Sequence, residues 1–120
     1  MTEKKSPLTP EQALRICCDA LEDKKASDLT ILDVAEKSSI TNHIIVASGM
    51  SEPHLRALRI EVEKACKENG IDVIGADKES ASGWIVVDAF DFMIHLLTDE
   101  KREFYSIETL WKDAEKVVFT

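Results

Sequence analysis

The sequence predicts a single α/β (α+β) domain of about five strands and two substantial helices, and three observations lead there. Short β-rich runs alternate with apolar patterns at helical spacing. Helix-start and helix-stop signals fall at the ends of those patterns. No internal repeat, low-complexity tract or linker breaks the 120 residues, a length that can bury a real core without disulfides or metal.

Residues 1–8 read as a flexible leader and 114–120 as a tail, with one domain over 9–113. Thr9-Pro10-Glu11-Gln12 opens the first helix: Thr9 as N-cap, Pro10 in the first turn, Gln12 completing a capping box. Ala13, Leu14, Cys17, Ala20 and Leu21 share one face, and the helix fades at Asp23-Lys24-Lys25. Residues 29–34 (LTILDV) and 43–48 (HIIVAS) are β-leaning, with a turn-like Glu36-Lys37-Ser38-Ser39 between them. Ser51 caps a long helix reaching about Glu68, with Leu55, Leu58, Val62, Ala65 and Cys66 inward, and Asn69-Gly70 stops it. Residues 71–74 read as a short third strand. Two further strands, 84–88 and 91–97, form a hairpin. Thr98-Asp99-Glu100 opens a short helix over 101–105, and 106–111 is another turn or so of helix.

Bulk properties exclude several classes of function. A net charge of −8 argues against direct nucleic-acid recognition, which relies on a Lys/Arg patch, and suits a basic protein partner better. Cys17, Cys18 and Cys66 are odd in number and lack metal-ligand spacing; they read as reduced core or half-buried thiols of a cytoplasmic protein. No stretch reads as a signal peptide or a membrane span.

The hairpin GWIVVDAFDFMIHLL carries the functional interest. Alternation puts Ile85, Val87, Phe92, Ile94 and Leu96 on one uniformly apolar face, the core face. If Ala89-Phe90 is the turn, Asp88 lies opposite Asp91, Val86 opposite Met93, and Trp84 opposite His95. The second face then carries Trp84, Val86, Asp88, Asp91, Met93 and His95. That mixture fits a surface covered by a partner; the plainer alternative is that a helix of the chain covers it and Trp84 is ordinary core. Facing Asp88 and Asp91 repel unless a donor lies nearby, for which Arg102 and the turn amides are candidates. Ala-Phe supplies no positive-φ residue, so a wider turn with Phe90 at its tip is the other geometry.

Nucleotidyl transfer is the enzymatic alternative, because Gly49-Met50-Ser51 lies between a strand and a helix where a phosphate can sit. Two-metal chemistry, however, needs converging carboxylates, and Asp88 and Asp91 straddle a turn instead of sharing one strand face. Gly49-Met50-Ser51 is more simply a loop and helix cap. His43, His54 and His95 are scattered, and His95 reads as a hydrogen-bonded structural residue.

An ordered series from Ala26 to Asp113 resembles the ribosomal silencing factor family, also called Iojap-like. The series runs Ala26-Ser27-Asp28-Leu29, Asp33-Val34, Ser38-Ser39-Ile40-Thr41, Ala47-Ser48-Gly49-Met50-Ser51 and His54. It continues through Trp84-Ile85-Val86-Val87-Asp88, Asp91, His95, Arg102-Glu103-Phe104-Tyr105 and Leu110-Trp111. The resemblance implies a mixed five-stranded sheet related to nucleotidyltransferases but without their active site, and no cofactor or metal. It implies a non-catalytic function: docking on the large ribosomal subunit through its ribosomal protein number fourteen, which obstructs small-subunit joining and represses translation when nutrients are scarce. It also implies a homodimer in the free state. Trp84, Val86, Asp88, Phe90, Asp91, Met93, His95, Arg102 and Tyr105 are then the expected docking surface or its direct support. The chain departs from the family pattern at Asn42-His43, Glu52-Pro53 and Ala89-Phe90.

Overall fold

The computed structural model describes residues 9–35, 42–76, 83–89, 92–105 and 115–116. Helix α1 spans Pro10–Asp23 and has the full capping box: Thr9 accepts from the Gln12 amide, and the Gln12 side chain accepts from the Thr9 amide. It ends in a Schellman motif without glycine. Lys25 takes φ 69°, while the Ala26 amide reaches the Leu21 carbonyl at 3.0 Å and the Lys25 amide reaches that of Glu22 at 3.0 Å. Helix α2, Glu52–Glu68, starts on Ser51, whose hydroxyl accepts from the His54 amide. It closes with the same motif at Gly70, φ 71°, where the Ile71 amide bonds the Cys66 carbonyl at 2.8 Å.

The strands are β1 (Ser27–Asp33), β2 (His43–Gly49), β3 (Gly75–Ala76), β4 (Trp84–Asp88), β5 (Phe92–Thr98) and β6 (Glu115–Lys116), in the order β3-β4-β5-β2-β1-β6. Among the described strands only the β2–β5 pair is parallel, so the sheet is mixed. Four strands of five to seven residues form its body, and two-residue strands trim both edges. The expected five strands are therefore not what is found. Residues 71–74 are no strand: the Ile71 amide is taken by the α2 terminus, the Ile74 amide reaches the Asp88 carbonyl at 2.8 Å, and paired residues begin at Gly75 opposite Asp88. Part of the expected tail joins the sheet as β6, against Leu32 and Asp33. Helix α3, Asp99–Tyr105, follows β5 directly; the Thr98 hydroxyl accepts from the Lys101 amide at 3.3 Å.

Helices α1 and α2 cover one face of the sheet. Leu14, Cys17 and Leu21 from α1 and Leu55, Leu58, Val62 and Cys66 from α2 pack on Ile31, Ile45, Ala47, Ile85, Val87, Phe92, Ile94 and Leu96. The five hairpin residues expected inward are all there, and burying side chains of this size stabilises by roughly 1.5–3 kcal/mol each. Central strand β2 is apolar on both sides, as a strand paired on both edges and covered on both faces must be.

Candidate docking face

The β4–β5 register is the first correction to the sequence reading. Asp88 pairs with Met93, Val86 with His95 and Trp84 with Leu97. Pairing continues past Asp88, since the Ala89 amide donates to the Phe92 carbonyl at 3.0 Å, and the expected turn at Ala89-Phe90 falls partly outside the described residues. The cause is burial. Ala89 continues the inward series Ile85, Val87, and meets the buried Phe92 in the main core. A slip of two residues preserves parity, so every side chain keeps its expected face while every partner changes. Asp88 is not opposite Asp91, and the expected head-on carboxylate repulsion disappears from the ladder.

The second face of the sheet divides into two zones. Over β1, β2 and the end of β5 it is sealed: Leu32, Val34, Ile44, Val46 and Leu97 form a separate buried cluster. Over β4 and the start of β5 it is half-buried, and there Trp84, Val86, Asp88, Met93 and His95 lie together. These five hairpin residues of the second face are thus neither sealed like core nor fully exposed. Trp84 belongs to both zones, since its ring packs against the sealed cluster.

Trp84 and His95 also bond. The indole Nε1–H donates to His95 Nδ1 at 3.0 Å, with ring centroids 5.8 Å apart and tilted by 44°. Burial lowers the His95 pKa to about 4, so the ring is neutral and its proton sits on Nε2. This matches the reading of His95 as a hydrogen-bonded structural residue.

Arg102 is the second correction. Its guanidinium donates to the Asp28 carbonyl at 2.6 Å, the Ser48 hydroxyl at 2.9 Å and the Thr30 hydroxyl at 3.3 Å. It therefore lies where β2 ends and α3 begins, at the Trp84 end of the face, while Asp88 lies at the other end. Expected as a donor for the acid pair, it instead clamps α3 to β1 and β2. Gly83 shapes the same corner. Its φ of 75° suits glycine, and a Cβ there would come 2.8 Å from Lys101 Cγ. Phe90 and Asp91 lie outside the described residues, as does the Tyr105 side chain at the end of α3.

Sequence reasoning missed Ile44, Val46 and Leu97, the sealed floor beside the half-open zone. The signal was present in HIIVAS, whose two faces are both apolar. It also missed what His54 does. Nδ1 accepts the Met50 amide at 2.9 Å and Nε2–H donates to the Lys24 carbonyl at 2.7 Å, tying the start of α2 to the end of α1. Among the described residues no cluster of three or more His, Cys, Asp or Glu side chains could hold a metal ion, and no helix is long and apolar enough to cross a membrane.

Fold and face together define a small mixed-sheet α+β protein with one sheet face sealed by two helices and the other left partly open. Residues 7–120 match the family described as ribosomal silencing factor during starvation, RsfS. The chain belongs to that family. It is 34% identical over 101 residues, 84% of this chain and 83% of the other, to the ribosomal silencing factor RsfS of Chromobacterium violaceum. It is 29% identical over 94 residues to a mouse protein named mitochondrial assembly of ribosomal large subunit protein 1, covering 76% of this chain and 41% of that one. A crystal structure of a Chromobacterium violaceum protein superposes with a TM-score of 0.84 at 32% identity, covering 94% of this chain and 93% of that one.

Proposed function

We propose that this protein is a ribosomal silencing factor that acts by occupancy and not by catalysis. The half-open part of the sheet, with Trp84, Val86, Asp88, Met93 and His95, docks on the large ribosomal subunit through its ribosomal protein number fourteen. Arg102 holds the corner of that surface in shape, and Phe90, Asp91 and Tyr105 complete it. A domain of this size seated on the intersubunit face keeps the small subunit from joining and lowers translation under nutrient limitation. The names of the relatives, silencing factors and a large-subunit assembly protein, support the ribosomal setting. The observation that carries the docking surface is the contrast between the two faces: one lies under α1 and α2, while five neighbouring residues on the other stay half-buried.

The physical argument is one of complementarity. An aromatic and apolar stripe ending in a carboxylate offers buried contact area beside a charge, and a chain of net charge −8 is drawn to a basic ribosomal protein. The same charge discourages indiscriminate contact with RNA. The protein works in the cytoplasm, and the stripe supports a homodimer when no ribosome is present. Kinship of the sheet with nucleotidyltransferases belongs to this reading as an ancestry of fold, without their chemistry.

Gradient sedimentation with purified large and small subunits tests the reading. The protein is expected in the large-subunit fractions, and its addition before mixing is expected to deplete joined ribosomes. Absence from the large-subunit peak at micromolar protein would overturn it.

A further inference from the structure

The seam between α1 and α2 contains a feature that docking does not use. Cys17 is one of the inward positions of α1, and Cys66 is one of those of α2. Packing of the two helices brings their sulfurs to 3.6 Å, with both residues fully buried. The two thiols are hydrogen-bonded to each other, and either can be the donor. Hydrogen bonding from Cys17 pulls the Cys66 thiol below its ordinary value, and the same bond, with burial, pushes Cys17 up. Cys18 lies about 100° round the same helix and is pushed up to about 12, chiefly by burial. The Cys17 and Cys66 sulfurs are thus held in contact across the seam, while the third thiol lies round the helix from them.

We propose that Cys17 and Cys66 are a modification site, closing to a reversible intramolecular disulfide when the protein meets a hydroperoxide. The Cys66 thiolate attacks one peroxide oxygen; the O–O bond breaks, water leaves after protonation, and Cys66 becomes a sulfenic acid. The Cys17 sulfur then attacks the Cys66 sulfur, a second water leaves, and the S–S bond forms. Two thiols and one hydrogen peroxide give one disulfide and two waters, so the two sulfurs supply the two electrons that reduce the peroxide. Both sulfurs are sealed, so the reaction waits on opening of the α1–α2 seam, and its rate follows that opening. The bridge joins residues 49 positions apart in sequence and lies under the sealed face of the sheet. It acts on the stability of the helix layer and leaves the half-open face unchanged.

The test uses the full chain, reduced, dilute and treated with hydrogen peroxide. The expected product is a single chain, not cross-linked to another, lighter by about 2 Da. Its peptide map links the Cys17 and Cys66 peptides, Cys18 remains alkylatable, and dithiothreitol reverses the change. Its melting temperature is expected to rise by roughly 10 °C, because the closed loop restricts the unfolded chain. A link through Cys18, a link between molecules, oxygen additions without a link, or three thiols still free after prolonged exposure would each overturn the proposal.

Discussion

Trp84 and His95 lie on a diagonal of the β4–β5 ladder, and the indole N–H donates to His95 Nδ1 at 3.0 Å. That bond exists only while Nδ1 is unprotonated. Burial lowers the pKa from 6.5 to about 4 in the folded protein. In the unfolded chain the ring takes its proton near the ordinary value, so between those limits the unfolded state binds more protons. Stability from this residue is complete above about pH 6.5, falls as the pH drops towards 4, and is lost below that. The loss is at most about 3 kcal/mol. Urea unfolding at pH 7 and pH 4.5 measures it. In His95→Gln, which keeps an acceptor for Trp84 without a titrating ring, the slope across that window should flatten. A slope equal to that of the unmodified protein would show that other groups set the acid sensitivity.

Docking is best tested at Asp88. Trp84 packs against the sealed cluster of Leu32, Val34, Ile44, Val46 and Leu97, so Trp84→Ala loses core contacts as well as a surface anchor and should cost about 2–3 kcal/mol. Asp88 lies at the far end of the stripe. Asp88→Lys reverses a carboxylate charge there and is expected to weaken large-subunit binding by roughly tenfold or more. Its effect on melting should be smaller than that of Trp84→Ala. Quantitative co-sedimentation alongside thermal melts separates the two effects. Equal retention of Asp88→Lys on large subunits would remove this residue from the contact.

Among the described residues Arg102 donates to acceptors at the start of β1, within β1 and at the end of β2. A planar guanidinium can reach all three, and a lysine ammonium cannot. Arg102→Ala should cost about 2 kcal/mol in urea unfolding, and Arg102→Lys should recover less than half of that. Full recovery in the lysine variant would mean that charge alone matters at this corner.

Much of this was legible from local rules. Capping at Thr9 and Ser51, the Asn69-Gly70 stop and the inward face of the hairpin follow from spacing and side-chain chemistry within a few residues, and each stands in the structure. The common face of Trp84, Val86, Asp88, Met93 and His95 was equally visible, because strand parity fixes it. Register was not, since a slip of two leaves parity untouched; only the burial of Ala89 against Phe92 decides it. The run 71–74 misled because Ile71, Val73 and Ile74 favour strands, while the α2 terminus claims the Ile71 amide. Arg102 was beyond reach for a different reason. Its acceptors lie more than fifty residues away and meet only once β1, β2 and α3 are assembled.

His54 provides a test of how the sealed layer is joined. With Nδ1 accepting from the Met50 amide and Nε2–H donating to the Lys24 carbonyl, one ring closes the turn before α2 and holds the last turn of α1. Both bonds lie at the surface, where water can replace them, so His54→Ala should cost only about 1 kcal/mol in global stability. The local effect should be larger. Without the ring, the Met50 amide loses its acceptor and the α1 terminus loses its tie, so both should open without unfolding the rest. Hydrogen exchange read residue by residue is the fitting measurement: faster exchange at Met50 and at Lys24–Ala26, with β2 and β5 unchanged. Unaltered protection at Met50 would mean that the turn at Gly49-Met50-Ser51 holds itself, and that His54 only caps it.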